Sequence, residues 1–137
     1  MKKPNVSCSI DAYCSINPSE DPKKVEQALT NILPDVNVKI NNENIRATSS
    51  TIESLQKIYE AINSHHSRNV YRRQLNQNMT DESSWFYLNK QAAFVNSIAL
   101  CSESEESPLG PIKVVLKSKN IQEVVEWLIS NREHSLI

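Results

Sequence analysis

Glycine is almost missing: of 137 residues only Gly110 is one. A Walker loop, a dinucleotide fingerprint and a Gly-x-Ser-x-Gly elbow each need several glycines within a few residues, so all three are excluded. Neither charge sign is in excess. Fifteen Lys+Arg against sixteen Asp+Glu give a formal charge of −1, which excludes a uniformly basic, histone-like protein and confines any nucleic-acid site to a local patch. Apolar runs are only a few residues long, too short to span a membrane. Met1-Lys2-Lys3-Pro4 has no apolar stretch behind it, so it is not read as a secretion signal. The cysteines, Cys8, Cys14 and Cys101, are odd in number and unpatterned. Along one strand Cys8 and Cys14 stand about 20 Å apart, far beyond disulfide reach. Three small buried hydrophobes in a reducing, cytoplasmic setting is the expected reading.

What is present is enough for a core. Hydrophobic residues at 39% and charged residues at 23% place the chain outside the disordered class. One domain is expected over residues 1–132, with 133–137 a flexible tail. Val6, Cys8, Ile10, Ala12, Cys14 and Ile16 alternate with polar residues, a strand with one wet face. Asp21 caps a helix with Pro22 at its first position, and Val25, Ala28, Leu29, Ile32 and Leu33 form its buried stripe up to Pro34. Val36, Val38 and Ile40, then Ile45 and Ala47, read as a hairpin turning at residues 41–44. Ser50-Thr51-Ile52-Glu53 reads as a capping box opening a second helix, with a break near Asn63-Ser64 before a polar helical stretch to about Met79. Strands are expected at Trp85–Leu88, Ala92–Leu100 and Ile112–Lys117, and a last helix carries Ile121, Val124, Val125, Leu128 and Ile129. The order β-α-β-β-α-β-β-β-α predicts an α+β fold, an antiparallel sheet with helices on its apolar face.

Two surfaces carry candidate chemistry. No carboxylate occurs between Glu60 and Asp81, so Arg68, Arg72 and Arg73 are locally unopposed. On a helix Tyr71, Leu75 and Met79 form the buried edge, and His65, His66, Asn69, Arg72, Arg73 and Asn76 fan across the other face, with Arg68 beside the apolar stripe. Guanidinium and amide groups on one face suit phosphate and base-edge contacts; a solvated face with arginines paired to carboxylates elsewhere is the alternative. The second surface follows from strand alternation. Lys39, Arg46, Lys113 and Lys117 point away from the helices with Tyr13, the make-up of an RNA platform, although exposed lysines also protect sheets from edge pairing.

Catalytic and metal readings are weaker. His65 and His66 are adjacent rather than four apart, so they cannot chelate one metal from one helix face. Cys8 and Cys14 belong to the apolar strand face, which disfavours a Cys–His nucleophile. Glu103, Glu105 and Glu106 read as solvated loop residues. No cofactor, metal or small-molecule substrate is implied.

Phe86-Tyr87-Leu88-Asn89-Lys90-Gln91-Ala92-Ala93, Ser107-Pro108-Leu109-Gly110-Pro111-Ile112 and the early Asn17-Pro18-Ser19-Glu20-Asp21-Pro22-Lys23-Lys24-Val25 resemble an archaeal family of small, sparsely characterised, predicted RNA-binding proteins. That family's fold is compared with the ribosomal protein that binds five-S rRNA, and its pattern places a glycine near Asn96. The resemblance implies a ribosomal-protein-like fold and RNA as partner. Gly110 reads as a rigid-turn glycine needing positive φ. Asn89, Lys90 and Gln91 read as exposed polar groups at a strand end, either touching RNA or only terminating the sheet. The expected function is non-catalytic binding of structured RNA through backbone contacts by Arg68, Arg72, Arg73, Lys90, Lys113 and Lys117, with Asn89 and Gln91 as specifiers. The alternative is a homodimeric protein-protein module without nucleic acid.

Overall fold

The computed structural model describes residues 4–41, 43–64, 68–101 and 109–130. Along them run β1 (Ser9–Ser15), α1 (Pro22–Ile32), β2 (Asn37–Ile40), β3 (Asn44–Ser49), α2 (Gln56–Ser64), α3 (Arg68–Gln77), β4 (Ser83–Leu88), α4 (Lys90–Phe94), β5 (Leu100–Cys101), β6 (Ile112–Lys117) and α5 (Ile121–Leu128). The strands form one sheet in the order β2-β3-β1-β6-β4-β5, and every pairing is antiparallel. The fold is α+β, as the alternation of elements predicts. His65, His66, Glu103, Glu105, Glu106 and the tail 133–137 lie outside the described residues, as do Ser107 and Pro108.

Period-two patterning does what it should. Ile10, Ala12 and Cys14 of β1, Ile45 and Ala47 of β3, Phe86 and Leu88 of β4, and Ile112, Val114 and Leu116 of β6 all lie on one face and are buried. The helices close over that face. Asp21 Oδ1 accepts from the Lys23 N–H at 3.0 Å, starting α1, whose Val25, Ala28, Leu29 and Ile32 are buried. Trp127 of α5 stacks on Tyr59 of α2, with ring centroids 4.6 Å apart. Ile121, Val124, Val125, Leu128 and Ile129 are all buried, as their helical spacing requires.

Two local expectations are corrected. The stretch Ala92–Leu100 is not a strand. The Asn89 side chain accepts from the Ala92 N–H at 2.9 Å and starts α4, and two alanines favour the helix. Asn96 then ends it at φ 58, its N–H bonded to Ala93 O at 3.1 Å and that of Ser97 to Ala92 O at 2.8 Å. This pair of bonds is a Schellman motif, with asparagine in the left-handed position that glycine usually takes. Only Leu100–Cys101 remain as strand. The start of the second helix is also shifted from the expected capping box. A 3-10 turn over Ile52–Leu55 precedes α2, its N-cap is Thr51 rather than Ser50, and Thr51 makes no side-chain capping bond. Ser49 serves instead: its hydroxyl accepts from the Thr51 N–H at 3.2 Å and bonds the Ser54 hydroxyl at 2.7 Å.

α3 lies against the edge of β4. Gln74, to which the sequence pattern assigns no role, is buried there. Its Oε1 accepts from the Tyr87 N–H at 2.9 Å and its Nε2 donates to Cys101 O at 2.9 Å, so one side-chain amide is inserted between two strands. Asn78 donates to Trp85 O at 2.9 Å, and the Ser84 hydroxyl donates to Leu75 O at 2.7 Å. Backbone groups on a strand edge need partners, and this helix supplies them.

Candidate nucleic-acid interface

The sheet face turned away from the helices carries the candidate site. Register fixes which of its residues are neighbours. Lys39 pairs with Arg46, Arg46 with Tyr13, Tyr13 with Lys113 and Lys113 with Tyr87. Directly paired residues point to the same side, so Lys39, Arg46, Tyr13, Lys113 and Tyr87 form one row across five strands. Four strand intervals of about 4.8 Å make the row roughly 19 Å long. Thr48, Asp11, Val115 and Trp85 form the row beside it, and Ser9, Lys117 and Ser83 a third.

Cations and rings are in contact within these rows. Lys113 Nζ stands 4.4 Å from the centroid of the Trp85 ring, and Trp85 meets Tyr87 edge-on at 5.1 Å. The Arg46 guanidinium lies 5.2 Å from the Tyr13 centroid. Arg46 also donates through Nη2 to Asp11 Oδ1 at 2.9 Å, and this hydrogen bond raises the pKa of the guanidinium above its ordinary value. Asp11 is the single carboxylate among the described residues of this face, against Lys39, Arg46, Lys113 and Lys117, so the face is net positive although the chain is not.

The other expected residues divide sharply. Arg72 and Arg73 are exposed on α3, and Arg72 donates to Asn69 Oδ1 at 3.2 Å. Arg68 is half-buried and donates to Asn63 O at 3.3 Å. The ion pairs among the described residues, Arg46–Asp11 and Lys90–Glu20, involve none of these three. Tyr71, Gln74 and Leu75 form the inner side of this helix, so Arg72 and Arg73 face outward and Arg68 lies beside the apolar stripe, as the periodicity predicts.

Lys90 is a correction. It is fully buried rather than exposed. Its Nζ donates to Ser15 O at 2.8 Å, Leu109 O at 2.7 Å and Glu20 Oε1 at 3.1 Å, which leaves no route to an external phosphate. Asn17 closes the cluster, its Nδ2 donating to Glu20 Oε1 at 2.8 Å and Leu109 O at 2.9 Å. Burial pushes the Glu20 carboxyl up, but the Asn17 N–H and amide and the Lys90 ammonium together outweigh it and hold the carboxyl below the usual range. Gly110 sits beside this cluster at φ 89, where a Cβ would stand 3.0 Å from Ser15 Oγ. Asn89 spends its side-chain oxygen on the α4 cap, and Gln91 is half-buried. The three segments that carried the resemblance thus meet in one buried structural cluster. Its residues hold the β1–α1 junction to α4 and to the loop before β6.

A family model described as RNA binding matches residues 9–118. The chain belongs to this RNA-binding family. A UPF0201 protein from Methanothermobacter thermautotrophicus is 34% identical over 113 residues, covering 82% of this chain and 84% of its own. One from Sulfurisphaera tokodaii is 37% identical over 117 residues, covering 82% and 81%. The crystal structure of a UPF0201 protein from Methanococcus jannaschii has a TM-score of 0.76 at 24% identity, over 89% of this chain and 99% of that one, a likeness of fold. The family's matched segment spans the whole cation-bearing sheet from β1 to β6. Among the described residues no helix is long and apolar enough to cross a membrane.

Proposed function

We propose that this protein binds RNA on the open face of its sheet. Lys39, Arg46, Lys113 and Lys117 would contact backbone phosphates, with Arg72 and Arg73 on the outer side of α3 as two further contacts. The observation that carries this is the row Lys39–Arg46–Tyr13–Lys113–Tyr87, which concentrates cations and rings on a face whose described residues hold one carboxylate, itself tied to Arg46. Phosphate neutralisation supplies most of the affinity in such interfaces and makes it salt-dependent. The family description points to the same ligand.

Six phosphate contacts, four on the sheet and two on α3, predict that log K falls with log[salt] at a slope of roughly −4 to −5, taking about 0.7 to 0.9 per contact. Filter binding to total cellular RNA over a salt series measures it. Lys113→Met/Lys117→Met removes two of the cations without unpairing Asp11 and is expected to bring the slope to about two thirds. A wild-type affinity independent of salt, or an unchanged slope in the double variant, overturns the assignment of this face.

A further inference from the structure

Phosphate binding alone does not account for the composition of the face. A duplex-binding surface needs cations and hydrogen-bond donors, because the bases of A-form RNA are stacked on each other and closed to side-chain rings. Aromatic side chains on a binding face contribute when bases are unpaired, since every base offers a π-face. Here three of the protein's rings, Tyr13, Trp85 and Tyr87, stand on the wet side of the sheet, while Tyr59, Tyr71, Phe86 and Trp127 are buried. Trp85 and Tyr87 alternate with the buried Ser84, Phe86 and Leu88, so their outward position is set by the pleat and not by lack of room in the core.

The rings are also interleaved with charge. Lys113 lies between Tyr13 and Tyr87 in register and reaches diagonally to the Trp85 ring at 4.4 Å. A lysine so placed is an arm's length from any phosphate whose base lies over Trp85 or Tyr87. Its flexible stem lets the ammonium leave the ring for the phosphate, opening the ring face it covers in the free protein.

Resting on the RNA reading above, we propose that the ligand of this face is single-stranded RNA, with bases stacked on Trp85 and Tyr87 and Lys113 transferred from the Trp85 ring to the backbone. This replaces the expectation of structured RNA recognised by shape. Tyr13, with Arg46 beside it, forms a second stacking position further along the same row.

The test compares a labelled unstructured RNA oligonucleotide with the same oligonucleotide annealed to its complement, by anisotropy and by tryptophan emission. Trp127 is 2% exposed in the core, so ligand-induced emission changes report Trp85. Single strand is expected to bind at least about tenfold tighter than duplex and to quench Trp85, consistent with base–aromatic stacking. Trp85→Ala should weaken single-strand binding about 5- to 150-fold, and Trp85→Phe should restore much of it. Equal or tighter binding of duplex without quenching overturns the single-strand inference and leaves RNA binding standing. No binding of either form overturns both. A salt-insensitive dimer by light scattering, with Trp85 shielded from acrylamide, makes the face a protein interface and likewise overturns both.

Discussion

Lys90 Nζ and Glu20 Oε1 lie 3.1 Å apart with side chains 0% and 5% exposed, a buried ion pair joining α4 to the start of α1. The same ammonium holds two backbone carbonyls, Ser15 O and Leu109 O. A buried charge is tolerated only when its hydrogen-bonding capacity is met, and here three acceptors surround one ammonium. The pair therefore organises where the chain turns from β1 into α1 and where it enters β6, the two central strands of the candidate face.

Lys90→Met is expected to destabilise the fold by about 3–5 kcal/mol, because it leaves the buried Glu20 carboxylate without its counter-ion and takes a donor from Ser15 O and Leu109 O. Adding Glu20→Gln should recover part of the loss. Urea unfolding midpoints measure both, and a Lys90→Met midpoint equal to wild type refutes the role given to the cluster.

The lowered pKa of Glu20 gives the stability a specific acid dependence. A carboxyl held below its unfolded value binds its proton later in the folded state. Its contribution is complete above the unfolded value, about 4.3, and is lost as pH falls through the folded one. Glu20→Gln should be less stable than wild type at neutral pH but have a flatter decline below about pH 4. Thermal melts across that range read the difference; parallel acid limbs would contradict it.

Gln74 and Tyr87 provide a separate check on the sheet. Gln74→Ala leaves the Tyr87 N–H without its amide acceptor and removes one donor to Cys101 O. The expected loss is about 1–3 kcal/mol for a buried N–H left unsatisfied, with faster hydrogen exchange at the Tyr87 amide in particular. Exchange unchanged at that amide would mean that the inserted side chain does not protect the strand edge.

Burial pushes the Cys8 thiol up to about 11. It does the same to Cys14, where the nearby Lys90 charge only partly offsets it. Cys101 is 1% exposed. Thiolates are the reactive form, so a thiol reagent at pH 8 should label none of the three in the folded protein and all three in urea. Rapid native labelling of Cys14 would show that the Lys90 cluster opens.

Local signals make much of this molecule readable from its sequence. Asp21-Pro22, the alternation in Ile112–Lys117 and the spacing from Ile121 to Ile129 each depend on neighbours a few residues away. Strand alternation by itself also turns Tyr13, Arg46, Lys113 and Lys117 outward. Their assembly into a row was not legible, because β6 enters between β1 and β4, and such pairing is non-local. The outward turn of Trp85 and Tyr87 was implicit in their alternation with Phe86 and Leu88. Lys90 misled for the same reason of distance: its acceptors on Ser15 and Glu20 lie 75 and 70 residues away, and nothing beside it in the chain announces burial.

α3 offers the clearest division between a flank and a site. Arg72 and Arg73 are exposed and face away from Tyr71, Gln74 and Leu75, while the inner side of the helix bonds the strand that carries Trp85 and Tyr87. As phosphate contacts, each arginine should account for about 0.7 of the salt slope on a single strand. Arg72→Ala/Arg73→Ala is then expected to weaken binding at low salt and flatten the slope by about 1.4, without altering the preference for one base over another, since phosphate contacts carry no sequence information. The Trp85 emission response should survive in this variant, because the stacking rings are untouched. Binding and slope identical to wild type would confine the site to the sheet, and loss of the Trp85 response would show instead that α3, not the sheet, positions the bases.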